Sequence, residues 1–170
     1  WAHAHLSGLY YVNRQPDEAI RLSETAIKLN PNSPHGYHFL GISQISCGKA
    51  SEGLHNLELS AQISPQDPYT GPTLAWIAIG NLGLGNFQET VQWAQKALDN
   101  PHTQFWANAA LVSAYGNLES KPEAIRARDN LIRRKPDFTI AFANNFFPVR
   151  HPDYHTNLID VLPKARLPED

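Results

Sequence analysis

Histidine is the residue type in this chain with the greatest potential for chemistry. The 170 residues include eight histidines but only one cysteine. His35 and His38 are three residues apart, so on a helix both imidazoles lie on one face and could supply half of a metal site. His3 and His5 are two residues apart and point in different directions. Neither pair is accompanied by a cysteine partner or an HExxH pattern, so we expect exposed or groove-lining histidines and no metal.

The remaining candidate patterns for catalysis are incomplete. Gly80, Gly83 and Gly85 form G-x-x-G-x-G, the reverse of the dinucleotide fingerprint, and follow a predicted helix instead of a strand. We interpret them as signals of helix termination and close packing. Cys47 has no histidine and acid at motif spacing, which favours a small buried side chain over a catalytic thiol. No serine occupies a G-x-S-x-G elbow. We therefore predict no catalytic residue and no cofactor.

Charge is low, and the basic residues are unevenly distributed. The formal net charge is −2, and six of the fourteen Lys and Arg residues fall between Lys121 and Lys135. Nucleic-acid binding needs more than one such helix, so a solvated outer face, partly paired with acidic residues of the tail, is the preferred interpretation. The longest apolar run, Leu74 to Gly80, is too short to span a bilayer. We expect neither a nucleic-acid nor a membrane partner.

The elements that position these residues recur along the chain. The segment from Pro16 to Gly41 contains Glu18-Ala19, Ala26, Pro31, and then Tyr37 and Leu40-Gly41. Pro31 and Pro65 are 34 residues apart, whereas Gly48 and Gly85 are 37 apart, which indicates three extra residues near 65–72. The prolines of that stretch predict a rigid loop there. Small residues at fixed points let two antiparallel helices approach closely, and the large apolar residues between them bind the next pair.

This order and spacing resemble the tetratricopeptide repeat (TPR) family, whose period is 34 residues. The resemblance implies an all-α fold, a right-handed TPR-type α-solenoid of about four helix-turn-helix repeats. The predicted repeats span residues 1–32, 33–67, 71–102 and 103–136. In the first helix, Leu6, Leu9 and Tyr10 are expected on the inner face. Because the chain opens at Trp1 inside a helical pattern, we expect a piece of a longer protein.

Residues 137–170 are predicted to be an ending that holds a short helix, a linker and a C-terminal capping helix. Phe138, Ile140, Ala141 and Phe142 indicate the short helix. The spacing of Tyr154, Leu158, Val161 and Leu162 predicts one amphipathic helix that ends at Pro163. The patterns FPVRHP and LPKARLPE also resemble the C-terminal ends of TPR regions attached to bacterial class III adenylate/guanylate cyclases.

The TPR resemblance also implies a binding groove, because the first helix of each repeat lines the concave side of such arrays. The predicted groove residues are Trp1, Ala4, Gly8 and Tyr11; His35, His38, Ile42 and Ile45; Pro72, Ala75, Ile79 and Leu82; and Trp106, Ala109, Ser113 and Asn117. The family's Lys/Asn/Arg clamp for a chaperone carboxylate is absent, since these positions carry no Lys or Arg. Such a surface suits an apolar helix or an extended segment.

These features predict a non-catalytic protein–protein interaction module in the cytoplasm. The cyclase-like tail suggests the regulatory C-terminal domain of a bacterial signalling protein. The alternative is a scaffold that self-associates and so dimerises an attached catalytic or DNA-binding domain. Whether the groove holds a peptide from another protein, a second copy or the chain's own linker is left open by the sequence.

Overall fold

The computed structural model describes residues 2–103, 105–147 and 152–170, and every regular element within those ranges is helical. The helices are α1 (Ala2–Val12), α2 (Pro16–Leu29), α3 (Pro34–Ser46), α4 (Ala50–Ile63), α5 (Thr70–Gly83), α6 (Phe87–Leu98), α7 (Trp106–Asn117), α8 (Lys121–Arg134), α9 (Ile140–Phe146) and α10 (Pro152–Leu158), followed by a 3₁₀ helix at Leu162–Ala165. None of the helices described is long and apolar enough to cross a membrane.

The first eight helices stack as four hairpins. Each odd-numbered helix from α1 to α7 packs on the helix that follows it, and α2, α4 and α6 also pack on the next hairpin. Successive odd-numbered helices contact one another as well. Each hairpin therefore buries its apolar side chains against its neighbours, as the repeat pattern predicts. This arrangement is an α-solenoid.

The turns inside the hairpins show the register directly. A residue with left-handed backbone follows each odd-numbered helix, at Arg14, Gly48, Gly85 and Glu119, with φ between 58° and 80°. These positions are 34, 37 and 34 residues apart in the sequence. The longer interval contains the predicted loop at 65–72, but that loop is shorter than expected because α5 already begins at Thr70. Pro72 lies in the first turn of α5, where a missing N–H is tolerated.

Glycine allows a close contact between α3 and α4. A Cβ atom on Gly41 of α3 would lie 2.7 Å from the carbonyl oxygen of Gly53 in α4, and a Cβ on Gly53 would lie 2.6 Å from the carbonyl oxygen of Gly41. Main-chain oxygens in two packed helices have little freedom to move. The α3–α4 hairpin therefore depends on both glycines, as the Leu-Gly position of the repeat predicts.

The first helix differs from the prediction for its inner face. Leu6 is 42% exposed and Leu9 is 62% exposed, while the buried side chains of α1 include Ala4, Ser7 and Tyr11. The expected inner position of Leu6 is therefore wrong, whereas Leu9, although largely exposed, borders the cavity of the inner surface. The reason is that α1 begins the stack, so no earlier hairpin among the described residues covers this side.

The C-terminal segment also departs from its predicted form. The short helix is present as α9, with Thr139 Oγ1 accepting a hydrogen bond from the amide of Phe142 at 2.9 Å. Tyr154, Leu158, Val161 and Leu162 are all buried, but they do not form one helix. The helix α10 ends at Leu158, because the ring of Pro163 would clash with the carbonyl of residue 159 in a continuing α-helix. The 3₁₀ helix follows instead.

Candidate binding groove

The inner surface is the side of the solenoid formed by α1, α3, α5 and α7. It divides into two halves, since α10 lies against α5 and α7 and the 3₁₀ helix lies against α7 and α8. We call the part beside α5 and α7 the filled half. The part beside α1 and α3 is the open half.

Tyr154 anchors the C-terminal segment in the filled half. Its hydroxyl donates a hydrogen bond to the carbonyl of Gly80 at 3.0 Å. Its ring lies directly against the backbone of Gly83, where a Cβ atom would be 1.9 Å from Tyr154 Cζ. Burial raises the pKa of the Tyr154 hydroxyl, so it remains a donor at neutral pH. Gly83 of α5 thus makes room for the tyrosine ring, and Gly80 of the same helix supplies the carbonyl that accepts its hydroxyl.

Amide side chains continue the contact along α10. Asn157 Nδ2 donates to the carbonyls of Leu82, at 3.1 Å, and Gly83, at 3.3 Å. These carbonyls belong to the last turn of α5, and that of Leu82 also accepts a hydrogen bond from the amide of Gly85 at 3.0 Å. Asn117 Nδ2 donates to the carbonyl of Asn157 at 2.8 Å, and Ser113 Oγ donates to the carbonyl of Leu158 at 2.7 Å. All four of these hydrogen bonds are accepted by main-chain carbonyls, two in α5 and two in α10.

The open half contains a cavity of about 740 Å³. Among the residues that the structure describes, its walls are aromatic, apolar and imidazole side chains, without an Asp, Glu, Lys or Arg. The lining residues are His5, Gly8, Leu9, Tyr11, Val12, His38, Phe39, Ile42, Pro68, Tyr69, Pro72, Trp76, His102, Trp106 and Phe146. The cavity is large enough for several side chains of a bound segment.

Aromatic contacts mark the boundary between the two halves. Tyr11 meets the edge of Trp76 at a ring distance of 5.9 Å, and Trp76 meets Phe147 at 6.2 Å. Trp106 stacks on Phe146 of α9, also at 5.9 Å. The start of the chain's C-terminal segment therefore forms one wall of the open cavity.

His38 is a strongly perturbed titratable group of the cavity wall. Its Nδ1 lies 2.8 Å from Thr73 Oγ1, and that hydroxyl donates to the carbonyl of Tyr69 at 2.8 Å. Since the threonine proton is used, Nδ1 of His38 is the donor to Thr73. Burial, with a smaller contribution from His35, lowers the pKa of His38 to about 3, so the imidazole is neutral at pH 7.

His35, which was predicted to form half of a metal site together with His38, has a different environment. Its Nε2 lies 3.5 Å from Asp67 Oδ1, and its ring meets Tyr69 at 4.6 Å. Across the described part of the chain, no group of three or more His, Cys, Asp or Glu side chains could hold a metal ion.

Arg126 and Arg128 of α8, and Lys135 directly after it, pair with acids close to them in sequence. Arg126 contacts Glu123 at 2.6 Å, and Lys135 contacts Asp137 at 2.7 Å. Arg128 contacts Asp129 at 2.6 Å and also donates to the carbonyl of Ala165 at 3.1 Å. This helix therefore helps to hold the end of the chain.

Solved structures with the same arrangement of helices are TPR proteins. MamA from Desulfovibrio magneticus RS-1 superposes with a TM-score of 0.66 at 16% identity, covering 97% of this chain and 94% of that one. YrrB, described as a TPR protein with an unusual peptide-binding site, gives 0.62 at 14% identity, covering 96% and 82%. The TPR-like repeats of the putative kinesin light chain of Podosopora anserina give 0.62 at 16%, covering 97% and 92%.

This chain has the TPR fold. The all-α solenoid predicted from the repeat spacing is thus confirmed. No protein-family model and no curated protein sequence matches it.

In the structure, the predicted groove residues lie in three different environments. Six line the open cavity: Gly8, Tyr11, His38, Ile42, Pro72 and Trp106. Three lie against α10, namely Leu82 through its carbonyl and Ser113 and Asn117 through their side chains. Six others, Ala4, His35, Ile45, Ala75, Ile79 and Ala109, are buried outside the cavity lining. Trp1 lies outside the described residues. A binding role for these residues stays a prediction.

Several cavity residues were not predicted. Phe39 follows the predicted His38 on the same helix, so a wider stripe would have included it. Pro68 and Tyr69 come from the inserted loop, and Phe146 comes from α9. The TPR period gives no signal for these three, because they lie outside the repeating positions.

Proposed function

We propose that this TPR solenoid is a non-catalytic protein–protein interaction module. Its ligand is an uncharged, apolar segment of another protein, bound in the open half of the inner surface. The cavity of about 740 Å³, in which no charged side chain of the described residues takes part in the lining, carries this proposal. Burying a charged segment there would leave its charge unpaired, which is costly, whereas aromatic and apolar side chains lose little on desolvation.

The filled half supports the same function. There the inner surface already holds a short helix, α10, through Ser113, Asn117 and the end of α5. The inner surface of the solenoid already binds α10 in its filled half, and the neighbouring open half could bind a segment of another protein in a similar way. YrrB, a TPR protein described as having a peptide-binding site, shares this fold.

The cellular context belongs to the same proposal. The patterns FPVRHP and LPKARLPE support a regulatory C-terminal domain of a bacterial signalling protein, such as an adenylate/guanylate cyclase, in the cytoplasm. The first pattern lies mostly outside the described residues, and the second forms the 3₁₀ helix and the chain end. The reading frame of the gene tests this context: a cyclase catalytic domain upstream is the expected result, and its absence contradicts it.

Peptide selection tests the binding function. Peptides selected from a random display library on the full chain are expected to be uncharged and apolar, with affinities measured by calorimetry. Pro68 is exposed and lines the cavity, so Pro68→Asp should weaken these peptides at least about tenfold, or 1.4 kcal/mol. Pro65 is exposed in the same loop but does not line the cavity, and Pro65→Asp is the matched control. Equal affinity of the two variants contradicts the site, and failure to select any peptide contradicts the function.

A second candidate function is a scaffold that self-associates and dimerises an attached catalytic or DNA-binding domain. The exposure of Leu6 and Leu9 on α1 favours it, because large apolar side chains that face solvent on one helix mark interaction surfaces. Light scattering distinguishes this function from the first. A strict monomer at high concentration contradicts the scaffold and leaves peptide binding unaffected.

A further inference from the structure

Helix packing in the solenoid joins each hairpin to the next one. The helices α2, α4 and α6 pack on the hairpin that follows, and the inner helices α1, α3, α5 and α7 contact their successive neighbours. The curvature of such an array is the sum of small rotations at its junctions. The separation of the first and fourth hairpins is therefore set only indirectly by this packing.

A second element connects hairpins that are not successive. It consists of α9 together with Phe147, and we call it the brace. The guanidinium of Arg14, in the turn of the first hairpin, donates to the carbonyl of Asn145 in the last turn of α9, where a cation is favourable. Phe146 stacks on Trp106 of the fourth hairpin at a ring distance of 5.9 Å. The brace thus contacts both the first and the fourth hairpin.

Main-chain hydrogen bonds hold the start of the brace. The amides of Ile140 and Ala141 donate to the carbonyls of Pro168, at 2.9 Å, and Glu169, at 3.0 Å. The first amides of a helix have no partner inside that helix, so the end of the chain satisfies them here. The position of α9 is therefore fixed by backbone contacts as well as by side chains.

Aromatic rings hold the other end of the brace. The ring of Phe146 lies 5.2 Å from that of Phe105 and 5.4 Å from that of Phe142. Phe147 is buried and meets the edge of Trp76 on α5 at 6.2 Å. Rings packed in such a cluster have little freedom to move. The brace is therefore attached firmly to the third and fourth hairpins, and Arg14 links it to the first.

The open cavity lies between the hairpins that the brace connects. Tyr11 lines it from the first hairpin, Trp106 from the fourth and Phe146 from the brace. The separation of the first and fourth hairpins therefore sets the width of the cavity. Arg14 is not one of the described residues that line it, so its side chain acts on the cavity only through the brace.

We propose that the brace fixes the separation of the first and fourth hairpins, and that Arg14 is a positioning residue for the segment bound in the open cavity. The part of this inference that concerns binding rests on the proposed peptide-binding function, whereas the brace itself does not. A cavity of fixed width loses less conformational freedom when a segment binds, which favours affinity.

The substitution Arg14→Gly removes the link without straining the turn. Arg14 has left-handed backbone with φ 59°, a conformation that glycine adopts without steric cost. Glu119 is the equivalent turn residue of the fourth hairpin, with φ 58°, and it does not line the open cavity. Glu119→Gly is therefore the matched control. Arg14→Lys keeps a cation that can donate to the Asn145 carbonyl, so it should behave like the unsubstituted chain.

Double electron–electron resonance between two spin labels tests the brace. In a Cys47→Ser background, Glu24→Cys on α2 and Asn130→Cys on α8 place labels at exposed residues of the first and fourth hairpins. This labelled chain and its Glu119→Gly variant should each give one narrow distance distribution. Arg14→Gly should broaden the distribution, and an unchanged distribution in that variant overturns the brace.

Peptide affinity tests the consequence for binding. Peptides selected on the full chain should bind Arg14→Gly about tenfold more weakly, and should bind Glu119→Gly and Arg14→Lys with unchanged affinity. A broadened distance distribution with unchanged affinity overturns the positioning role of Arg14 but leaves peptide binding intact. If no peptide can be selected, the proposed function fails, and the distance measurement alone decides on the brace.

Discussion

The two halves of the inner surface use equivalent helix positions for opposite purposes. In the filled half, Gly83 makes room for the ring of Tyr154, and Ser113 bonds the carbonyl of Leu158. In the open half, the corresponding residues on α1 are Val12, which is 75% exposed, and Gly8, which borders the cavity. The comparison shows that a TPR groove is not one uniform site. Local side chains decide which part is closed by the chain itself and which part is available to another protein.

The comparison also separates two kinds of contact. The filled half depends on hydrogen bonds to main-chain carbonyls at the end of α5. The open half has aromatic walls and a neutral His38. A permanent intramolecular contact is thus specified by donors for particular carbonyls, whereas the open cavity presents mainly apolar surface.

The largest effect on stability is expected from a substitution in the α3–α4 hairpin, which is part of the solenoid framework that both halves share. Gly41→Leu should lower the free energy of unfolding by about 3 kcal/mol or more, because its side chain would meet the Gly53 carbonyl oxygen, 2.7 Å from the Cβ position. Urea denaturation followed by circular dichroism measures the change. Gly85→Ala is the control: its Cβ would meet nothing within 4 Å, so only the left-handed backbone costs about 1 kcal/mol. Equal losses in the two variants would contradict the α3–α4 packing.

The next prediction distinguishes the two halves. Gly83→Ala should cost about 2 kcal/mol, because Tyr154 is buried and its hydroxyl is bonded to Gly80. Gly8→Ala should cost much less, although its Cβ would lie 2.6 Å from Phe39 Cε1, because the half-buried Phe39 ring borders the open cavity and has room to move.

A double-mutant cycle checks this assignment. In a Tyr154→Ala background the added methyl group at position 83 meets empty space, so Gly83→Ala should then be nearly neutral. If the cost of Gly83→Ala persists without the tyrosine ring, the C-terminal segment does not occupy this half.

The repeating part of the fold was predictable from the sequence, because close helix crossings need small residues and leave a fixed spacing. Gly80 and Gly83 were correctly associated with close packing, but Tyr154, the partner of Gly83, could not be identified. The contacts of α10 use carbonyls of Gly80, Leu82 and Gly83, and every residue has a carbonyl, so no side-chain pattern marks that site. The amphipathic spacing predicted burial of Tyr154 and Leu158 but not the early end of α10.

The first helix shows a second limit of the sequence pattern. Leu6 has the same residue type as its equivalents Leu40 and Leu111, yet it is exposed and they are buried. A periodic pattern reports what a position would bury if a neighbour were present, not whether the neighbour exists. The exposure of Leu6 among the described residues is therefore seen in the coordinates and not in the repeat.

The smallest effect concerns the open half and depends on pH. The pKa of His38 falls from 6.5 to about 3 on folding, so the unfolded chain binds a proton that the folded chain does not. The contribution of His38 to the free energy of unfolding is therefore fully present above pH 6.5. It is lost as the pH falls toward 3, by at most about 1.4 kcal/mol per pH unit. His38→Asn should flatten this slope between pH 6.5 and 4. His55 is exposed on α4, so His55→Asn should keep the slope, and an unchanged slope in both variants contradicts the buried neutral imidazole.

Thiol labelling tests most directly whether one half is open and the other is filled. In a Cys47→Ser background, Val12→Cys and Ser113→Cys place one thiol in each half, at residues that are 75% and 0% exposed. Val12→Cys should react with a small disulfide reagent as fast as an unprotected thiol, while Ser113→Cys should react only as fast as the protein unfolds. Rapid labelling of both thiols would show that α10 does not cover the inner surface, and protection of both would show that no open half exists.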